Sequence, residues 1–450
     1  MGREPRRRLA RPARSSPHDR EILRLAVPAF GALAAEPLYL LADTAIVGRL
    51  GTRPLAGLAI AGIVLTAAFG VFNFLAYSTT AAVARRMGAG DRRTAAQLGI
   101  DGVGLALLLG LALMVVGLVL APAIVDVMGA SERVRPFALT YLRVSMIGAP
   151  ALLMTLAATG YLRGIQDTRT TLVIAVASNV LNLVLEVVFV FWFDWGIEGS
   201  AWGTVIAQWV AAGTYLVIVS RSARGAGASV RPRREGMRQN AVVGGPLIAR
   251  TASLFATFLV ATTIAARIGD DEVAAHQVAF QVFLFLALSL DALAIAGQAM
   301  TGRFLGASEA DQARAASRRM MEWGVAVGVV FAIVLAAVAP WLMQGFSDDP
   351  DVQHVGTQLL YVVAPLQPLN AIVFVLDGVL IGAGDQRFLA GAMLIATFGV
   401  FAPLAVVVAV TDAGMLALWA ALACWFVARA VALVARYRDG GWQVTGATRH

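Results

Sequence analysis

The chain has 450 residues, of which 59% are hydrophobic and 14% are charged, and its mean hydropathy is +0.74. Average soluble domains carry roughly 25% charged residues, so this composition excludes an ordinary soluble domain and indicates an integral membrane protein. The formal net charge of +8 would suggest nucleic acid as the partner of a soluble protein, but here the arginines lie between apolar segments, where they indicate membrane topology.

Apolar segments follow one another along the whole chain, and each is long enough to cross a bilayer, which takes roughly 20 residues per helix. They lie near residues 22–48, 54–80, 95–122, 136–160, 170–192, 197–220, 240–267, 272–300, 319–345, 355–381, 387–411 and 412–436. The pattern predicts an all-α integral membrane protein with about twelve transmembrane helices, six in each half of the chain.

The two halves of the chain repeat each other at one constant offset. Residues 28–91 align without a gap on residues 246–309, 218 residues later, and the same offset places Pro150 on Pro368. Apolar repeats of this length are typical of secondary transporters, so we predict two pseudo-symmetric six-helix bundles. The predicted segments are a basic cytoplasmic N-terminal segment at 1–21, an N-terminal lobe at 22–220, a cytoplasmic linker at 221–239, a C-terminal lobe at 240–438 and a cytoplasmic tail at 439–450.

Arginine is concentrated in alternate connections, as in the one next to Arg85 and Arg86 and in the linker between the lobes. The intervening connections carry acidic residues, such as Asp348, Asp349 and Asp351. Because cytoplasmic loops carry an excess of arginine and lysine, we predict that both termini are cytoplasmic. The expected location is the cytoplasmic (inner) membrane of a bacterial cell, crossed many times by the chain.

An ionisable group at membrane depth costs roughly 2.5–3.5 kcal/mol on insertion scales, so each one needs a physical reason. Asp43 lies six residues before Arg49 and Glu186 lies eight residues before Asp194, so the two carboxylates fall at about the same depth. Tyr141 and Thr204 of neighbouring predicted helices reach that depth too, and Tyr39 and Asn182 lie one turn below Asp43 and Glu186 on the same sides of their helices. The pattern predicts a polar cluster with a functional role, and a structural hydrogen bond or a packing contact is the alternative for each residue taken singly.

The second half does not repeat this cluster, because the offset places apolar residues, Ala261 and Leu404, at the positions of the two carboxylates. Its buried charges are Arg250, Asp291 and Asp377, which fall at similar depths nearer the cytoplasm. We predict a second-lobe charge cluster in which Arg250 neutralises Asp291 or Asp377, since an unpaired buried charge is costly. A static ion pair and a functional group are both open interpretations of this cluster.

Two prolines interrupt the first predicted helix. Pro28 and Pro37 each remove a backbone donor, so both are hinge candidates, and a bend without a functional role is the alternative. Glu36 precedes Pro37, where it would either line a cavity or act as a working carboxylate.

Five segments of the chain carry a family resemblance, and they lie at 37–51, 160–169, 179–186, 289–291 and 375–385. They resemble the multidrug and toxic compound extrusion (MATE) family, and in particular its DinF-like branch. The resemblance implies a V-shaped pair of helix bundles that exports organic solutes against an inward flow of protons or sodium ions. It also implies an ion-coupling site at Asp43, Glu186, Asn182, Tyr39, Tyr141 and Thr204. The fifth-helix acid is commonly Asp in such relatives, whereas this chain has Glu186.

Together these observations predict a secondary active antiporter that exports organic, cationic or amphipathic compounds by alternating access. Two carboxylates in one apolar pocket cannot easily both stay charged, so we expect protons to be the coupling ion. Sodium bound by Asp43, Asn182, Glu186 and Thr204 is the alternative. The expected partners are small organic substrates and the lipid bilayer, without nucleic acid, and we expect a monomer with no cofactor and no resident metal.

Two other functions compete with this prediction. A flippase for lipid-linked precursors, from the same superfamily, is the alternative, although such relatives usually carry two further spans and a cationic cavity. An intramembrane enzyme is not expected, because the four histidines are scattered and none is paired with the single cysteine, Cys424. The histidines are His18, His276, His354 and His450.

Overall fold

The computed structural model describes residues 16–448, which form helices and short connections without a strand. Most of the predicted basic segment at 1–21, and the last two residues of the predicted tail, lie outside the described residues. Within these limits the chain has twelve candidate membrane spans, if one bent pair of helices counts as a single span. They are α1 (Asp19–Gly48), α2 (Thr52–Gly88), α3 (Arg92–Val127), α4 (Arg135–Ile147 with Ala149–Gly164), α5 (Thr168–Trp192), α6 (Gly196–Gly225), α7 (Arg234–Ile268), α8 (Asp270–Gly306), α9 (Ala310–Phe346), α10 (Pro350–Gly382), α11 (Gln386–Thr411) and α12 (Gly414–Asp439). The predicted fold class and the predicted spans are confirmed.

Four of these helices are irregular. α4 bends by 49° at its break, α2 contains a 3-10 turn at Val71–Asn73, and α11 contains a π-helical segment at Ile395–Phe401. A further π-helical segment at Val188–Trp192 ends α5, and it begins two residues after Glu186. Single π-helical turns are frequent at functional sites. The segment at Val188–Trp192 therefore makes α5 a candidate location for such a site.

The connections between helices repeat at the same offset as the sequence. Positive φ angles occur in four pairs of residues that are 218 positions apart: Gly90 and Ser308, Gln166 and Gly384, Asp194 and Asp412, and Gly196 and Gly414. Residues other than glycine rarely adopt positive φ, so its recurrence at Ser308 and Gln166 shows that the two halves follow the same backbone path.

Buried apolar side chains form separate cores at one end of the molecule and a common core at the other. Val47 and Leu142 belong to a core built from helices of the N-terminal half alone, α1–α4 and α6. Phe283 and Leu359 belong to a core built from α7–α12 alone. A third core, which includes Met300, takes residues from both halves. The two bundles therefore diverge from a shared base, as a V-shaped molecule requires.

We call the end with the shared core the basic face and the opposite end the acidic face. The basic face carries the connections at 89–91, 165–167, 226–233, 307–309 and 383–385. The acidic face carries the connections at 49–51, 128–134, 193–195, 347–349 and 412–413. The space between the two bundles opens towards the acidic face.

At the basic face, α2 and α8 cross in direct backbone contact. A Cβ atom added to Gly88 would lie 1.9 Å from the carbonyl oxygen of Arg303, and one added to Gly306 would lie 2.0 Å from that of Arg85. Gly88 and Gly306 are 218 residues apart, as are Arg85 and Arg303. The crossing is therefore pseudo-symmetric, and it requires glycine in both helices.

The linker between the lobes is docked on α3. Asp101, which is fully buried, accepts a hydrogen bond from the backbone of Arg233 at 2.8 Å and one from its guanidinium at 3.2 Å. Gln97, one turn earlier on α3, accepts from the backbone of Ser229 at 3.0 Å. The helices extend into the predicted linker from both sides, which leaves 226–233 as the connection. Asp101 is a buried charge that the sequence analysis did not single out.

The glycine crossing generates a stability prediction. We expect Gly306→Ala and Gly88→Ala each to lower the free energy of unfolding by about 1–3 kcal/mol, because the new methyl group must displace backbone atoms of the facing helix. The measurement is thermal unfolding of the purified protein in detergent. Gly213→Ala is the matched control, since no atom lies within 4 Å of its added Cβ. Equal melting temperatures for all three variants would contradict the close crossing.

The two faces generate a topology prediction. Ala413 and Ala307 are exposed residues of the acidic and basic faces. In a Cys424→Ala background, we expect Ala413→Cys to react with a membrane-impermeant thiol reagent added to intact cells and Ala307→Cys to react only after the membrane is opened, because the arginine-rich face should be cytoplasmic. The reverse pattern would show that the orientation is wrong.

Candidate ion-coupling site

The N-terminal bundle places a carboxylate of α1 against a hydroxyl of α6. Asp43 is 2% exposed, and its Oδ1 atom accepts a hydrogen bond from the Ser200 hydroxyl, with 2.7 Å between the two oxygens. A hydrogen bond donated to a carboxylate favours its charged form. Asp43 is therefore a buried carboxylate with a hydrogen-bond donor inside the bundle.

A second set of hydrogen bonds runs through Thr204, one turn beyond Ser200 on the same side of α6. The Thr204 hydroxyl donates to the Ser200 carbonyl oxygen, 3.2 Å away. Its oxygen then accepts from the Tyr39 hydroxyl at 3.0 Å and from the Asn182 amide at 3.2 Å. The hydroxyl hydrogens of Tyr39 and Thr204 are used within this set, so neither of them is directed at a carboxylate.

Glu186 of α5 is fully buried, with 0% of its surface exposed. Within residues 16–448 neither of its carboxylate oxygens has a hydrogen-bond partner, and the same is true of the Asn182 side-chain oxygen one turn earlier. α5 and α6 are close at this level, since a Cβ on Gly203 would lie 3.1 Å from the Glu186 nitrogen. Glu186 and the buried Tyr141 both lie within electrostatic range of Asp43.

The missing donor distinguishes Glu186 from the other buried carboxylates of the described chain. Five acidic residues are buried there: Asp43, Asp101, Glu186, Asp377 and Asp385. Asp43 has the Ser200 hydroxyl, and three others are paired with arginine. A buried carboxylate that has neither a donor nor a cation is costly in its charged form. The surroundings of Glu186 therefore favour a neutral side chain.

The structure brings all six predicted residues together: Asp43, Tyr39, Tyr141, Asn182, Glu186 and Thr204. Their role in ion coupling stays a prediction. Ser200 is a member of the cluster that the sequence analysis missed. Its spacing of four residues from Thr204 was an available signal, because residues i and i+4 share one side of a helix. Glu36 is exposed and takes no part in these hydrogen bonds.

α1 connects this cluster to the other bundle. Pro28 and Pro37 both lie inside α1, which continues through them as one helix. Leu33 packs against apolar residues of α8, while the carbonyl of Ala35 accepts a hydrogen bond from Asn179 of α5 at 2.9 Å. A change in the shape of α1 would therefore reach both bundles. The hinge role of the two prolines stays a prediction.

The predicted charge cluster of the C-terminal bundle forms around Asp377. Its Oδ2 atom accepts from Arg250 at 2.5 Å and from Arg429 of α12 at 2.7 Å. Arg429 also lies over the ring of Trp425, 4.7 Å from its centroid. Arg429 lies seven residues before Arg436, a spacing similar to those used for Asp43 and Glu186, and the sequence analysis missed it.

Of the two predicted partners of Arg250, Asp377 binds it and Asp291 does not. Asp291 is partly exposed, and it lies within electrostatic range of Arg163 and Arg250 without an ion pair to either within the described chain. Tyr77 of α2 is also within range of Asp291. Asp291 therefore belongs to the region between the bundles.

Comparison with known proteins identifies the family. The MatE family model matches residues 28–188 and 246–407, with one match in each half of the chain. The chain belongs to the MatE family. Protein DETOXIFICATION 44, chloroplastic, of Arabidopsis thaliana is 32% identical over 94% of this chain and 83% of its own length. DNA damage-inducible protein F of Escherichia coli K12 is 27% identical over 94% of both chains. The protein is a MATE transporter and not an enzyme.

Solved structures share the fold of this MATE transporter. A crystal structure of MATE in the bent conformation has a TM-score of 0.84 at 20% identity and covers 95% of this chain and 96% of its own. A MOP superfamily transporter from Pyrococcus furiosus Vc1 has a TM-score of 0.83 at 20% identity, with 96% of each chain covered. The predicted family and the predicted pair of six-helix bundles are confirmed.

The two arginines on Asp377 generate a prediction. We expect Asp377→Asn to destabilise the protein by about 3–5 kcal/mol, because it leaves two buried arginines without a carboxylate. Arg250→Ala should cost less, since Arg429 still pairs with Asp377. The measurements are the amount of membrane-inserted protein and its thermal unfolding in detergent. Asp126→Asn, at an exposed surface ion pair, is the control. An Arg250→Ala variant less stable than Asp377→Asn would contradict this order.

Proposed function

We propose that this MATE transporter is an antiporter that exports organic, cationic or amphipathic compounds in exchange for protons. The observation that carries the proposal is Glu186, a fully buried carboxyl group without a hydrogen-bond donor, within electrostatic range of Asp43. The substrate class is supported by the names of relatives. One is the Probable multidrug resistance protein NorM of Thermotoga maritima, which is 22% identical over 94% of this chain.

Protonation of Glu186 fits the unpartnered atoms of the site. A neutral carboxyl group gains an O–H donor, and the Asn182 side-chain oxygen one turn away is an acceptor without a partner. One bound proton thus removes a buried charge and can satisfy two buried oxygens. When the proton leaves, a second negative charge appears next to Asp43, and the two carboxylates repel each other.

The motion that this charge change drives is alternating access. Repulsion between the carboxylates of α1 and α5 would alter how α1 sits in its bundle, with Pro28 and Pro37 as the bending points. Because α1 also packs against α8, the change is passed to the contact between the bundles. We take the lobes at 22–220 and 240–438 as the moving units of a monomer whose basic face is cytoplasmic.

Sodium is the second candidate for the coupling ion, and one observation favours it. The Asn182 side-chain oxygen and both Glu186 oxygens are buried without donors, and Asp43 adds a further carboxylate. Sodium would need several such oxygens in a fixed cage, and Thr204 could add another. The side chain of Glu186 is longer than that of Asp and leaves less room for sodium between these oxygens. A proton needs only one of the oxygens. We therefore favour protons.

The proposal predicts that Asp43 is indispensable. We expect Asp43→Asn to reduce export to background, because the amide cannot become charged, while the protein still inserts in the membrane. The measurement is export of a panel of cationic and amphipathic dyes by everted vesicles. Asp194→Asn, at an exposed turn with φ of 57° that asparagine tolerates, is the control and should export normally. Normal export by Asp43→Asn would remove this residue from the mechanism.

The coupling ion is tested with Glu186→Gln. We expect this variant to keep weak export that no longer depends on the pH gradient, because glutamine cannot exchange a proton. The measurement is export from vesicles with a proton gradient or a sodium gradient imposed alone. Transport by the unsubstituted protein that follows the sodium gradient and ignores collapse of the proton gradient would refute proton coupling.

A further inference from the structure

The Ser200 hydroxyl makes the surroundings of the two carboxyl groups unequal. Ser200 is fully buried, and it donates to Asp43 at 2.7 Å. The hydroxyls of Tyr39 and Thr204 are used in their own hydrogen bonds, and Glu186 receives no donor within residues 16–448. The one hydrogen bond to a carboxylate of this cluster in the described chain is thus the bond from Ser200 to Asp43, and Ser200 also lies close to Glu186 and Tyr141.

We propose that Ser200 is a positioning residue that keeps Asp43 charged and thereby makes Glu186 the carrier of the exchanged proton. This inference rests on the proposed proton coupling. The chemical step is the formation of one O–H bond on a Glu186 oxygen and its later rupture, and the proton is taken from and returned to water. The carboxyl pair carries one negative charge when Glu186 is protonated and two when it is not.

The groups around Asp43 leave few competitors for this proton. Asp43 faces Tyr39 on its own helix, Tyr141 on α4 and Glu186 on α5. Phenols lose their protons near pH 10, far above the working range, so Glu186 is the titrating neighbour. α2 offers no titratable side chain between Arg53 and Tyr77.

Infrared titration of the purified protein in lipid tests the role of Ser200 without transport. In a Glu186→Gln background, Asp43 is the remaining carboxyl group of the site. Its infrared carboxyl band is assigned as the band that disappears in Asp43→Asn. We expect Ser200→Ala to move the midpoint of Asp43 protonation upwards by about one pH unit, because the charged form loses its donor. Ser200→Thr retains the hydroxyl and should leave the midpoint near its original value. Coincident midpoints for alanine and serine would overturn the proposal.

A transport measurement separates failure of this inference from failure of the proposed function. With Glu186 present, we expect Ser200→Ala to shift the pH profile of dye export in the same direction and Ser200→Thr to restore it. If the infrared midpoint shifts but export ignores the proton gradient, Ser200 holds Asp43 as inferred and proton coupling is wrong. If export follows the proton gradient and neither measurement shifts, proton coupling stands and the role of Ser200 is wrong.

A second, independent observation concerns the segment that follows α12. Residues 440–446 cross the basic face, where the fully buried Trp442 stacks on Tyr437 with 5.5 Å between ring centroids. The backbone nitrogen of Gly446 donates to the carbonyl of Leu305, at the end of α8, at 2.9 Å. This tail is thus packed on the C-terminal bundle.

The tail also binds an arginine of the other bundle. Arg85 of α2 is 3% exposed, and it donates to the carbonyls of Gly446 at 3.0 Å and Ala383 at 3.2 Å. It donates to the carbonyl of Val444 as well. The guanidinium of the N-terminal bundle is therefore held by backbone oxygens of the C-terminal bundle and its tail.

The pseudo-symmetry explains why Arg85 needs the tail. Its equivalent, Arg303, reaches across to the N-terminal bundle and binds Glu21 at 2.7 Å and Gln166 at 2.8 Å. The offset of 218 residues turns these two partners into Gln239 and Gly384, which supply no carboxylate. Arg85 thus binds tail carbonyls at the place where its equivalent Arg303 binds side chains of the other bundle.

We infer that the tail is a strap that holds the basic face closed. If the bundles part at this face, Arg85 must leave its carbonyl acceptors, so the strap stabilises the arrangement that opens towards the acidic face. Hydrogen bonds to a charged group are strong enough that their loss should raise the ratio of open to closed basic face at least roughly tenfold.

Distances between spin labels test the strap. Labels on Arg93→Cys and Ala307→Cys, both exposed at the basic face on opposite bundles, are measured in a Cys424→Ala background. We expect truncation after Asp439 to add a population with a longer distance. Gly446→Pro keeps Trp442 in the chain, removes the N–H that binds Leu305 and cannot adopt the φ of 106° at this position, so it should detach this part of the tail and act in the same direction even if the truncated protein folds poorly. Unchanged distances in Gly446→Pro would overturn the inference.

Discussion

The cost of a buried charge governs how this protein is built. A charged group removed from water needs a counter-charge or several hydrogen bonds, and the membrane makes the requirement stricter. Asp101 meets it by docking the linker, Asp377 by two arginines, and Arg85 by backbone carbonyls of the opposite bundle. Each satisfied charge joins elements that are distant in sequence. Glu186 is the buried carboxylate of the described chain that is left without such partners, and the proposed function follows from that exception.

The duplicated scaffold separates what the fold needs from what the site needs. The turns and the glycine crossing recur at the offset of 218 residues, because both halves must follow the same path and meet at the same joint. The charges do not recur. The N-terminal bundle has two carboxylates near each other, whereas the C-terminal bundle has one carboxylate between two arginines. Under the proposed function one bundle changes its charge by one proton, while the other holds a fixed cluster of one carboxylate and two arginines.

Much of this arrangement was predictable from the sequence. The depth of Asp43 and Glu186 follows from helical rise and loop position, which also placed Tyr141 and Thr204 at that level. Tyr39 and Asn182 follow from the spacing of four residues, which puts them on the same helix sides as the two carboxylates. The spacing of Ser200 from Thr204 put both on one side of α6, but nothing in its residue type marks a carboxylate partner, because a buried serine is common in helix contacts.

Two further features depend on distances that spacing along one helix does not contain. Arg429 reaches Asp377 from another helix. The tail docks through backbone oxygens, which any sequence could supply. Contacts of this kind can be identified only from the three-dimensional structure.

The glycine crossing at the basic face also determines how far a small rotation travels. Gly88 ends α2, whose 37 residues extend to the acidic face. A helix of that length is about 55 Å long, so a rotation of roughly 10° at the crossing displaces its far end by about 10 Å. No rotamer has to change at the crossing for this to happen, because glycine has no side chain and the two backbones are in direct contact. A small rotation at the basic face therefore produces a displacement at the acidic face that is as large as a drug molecule.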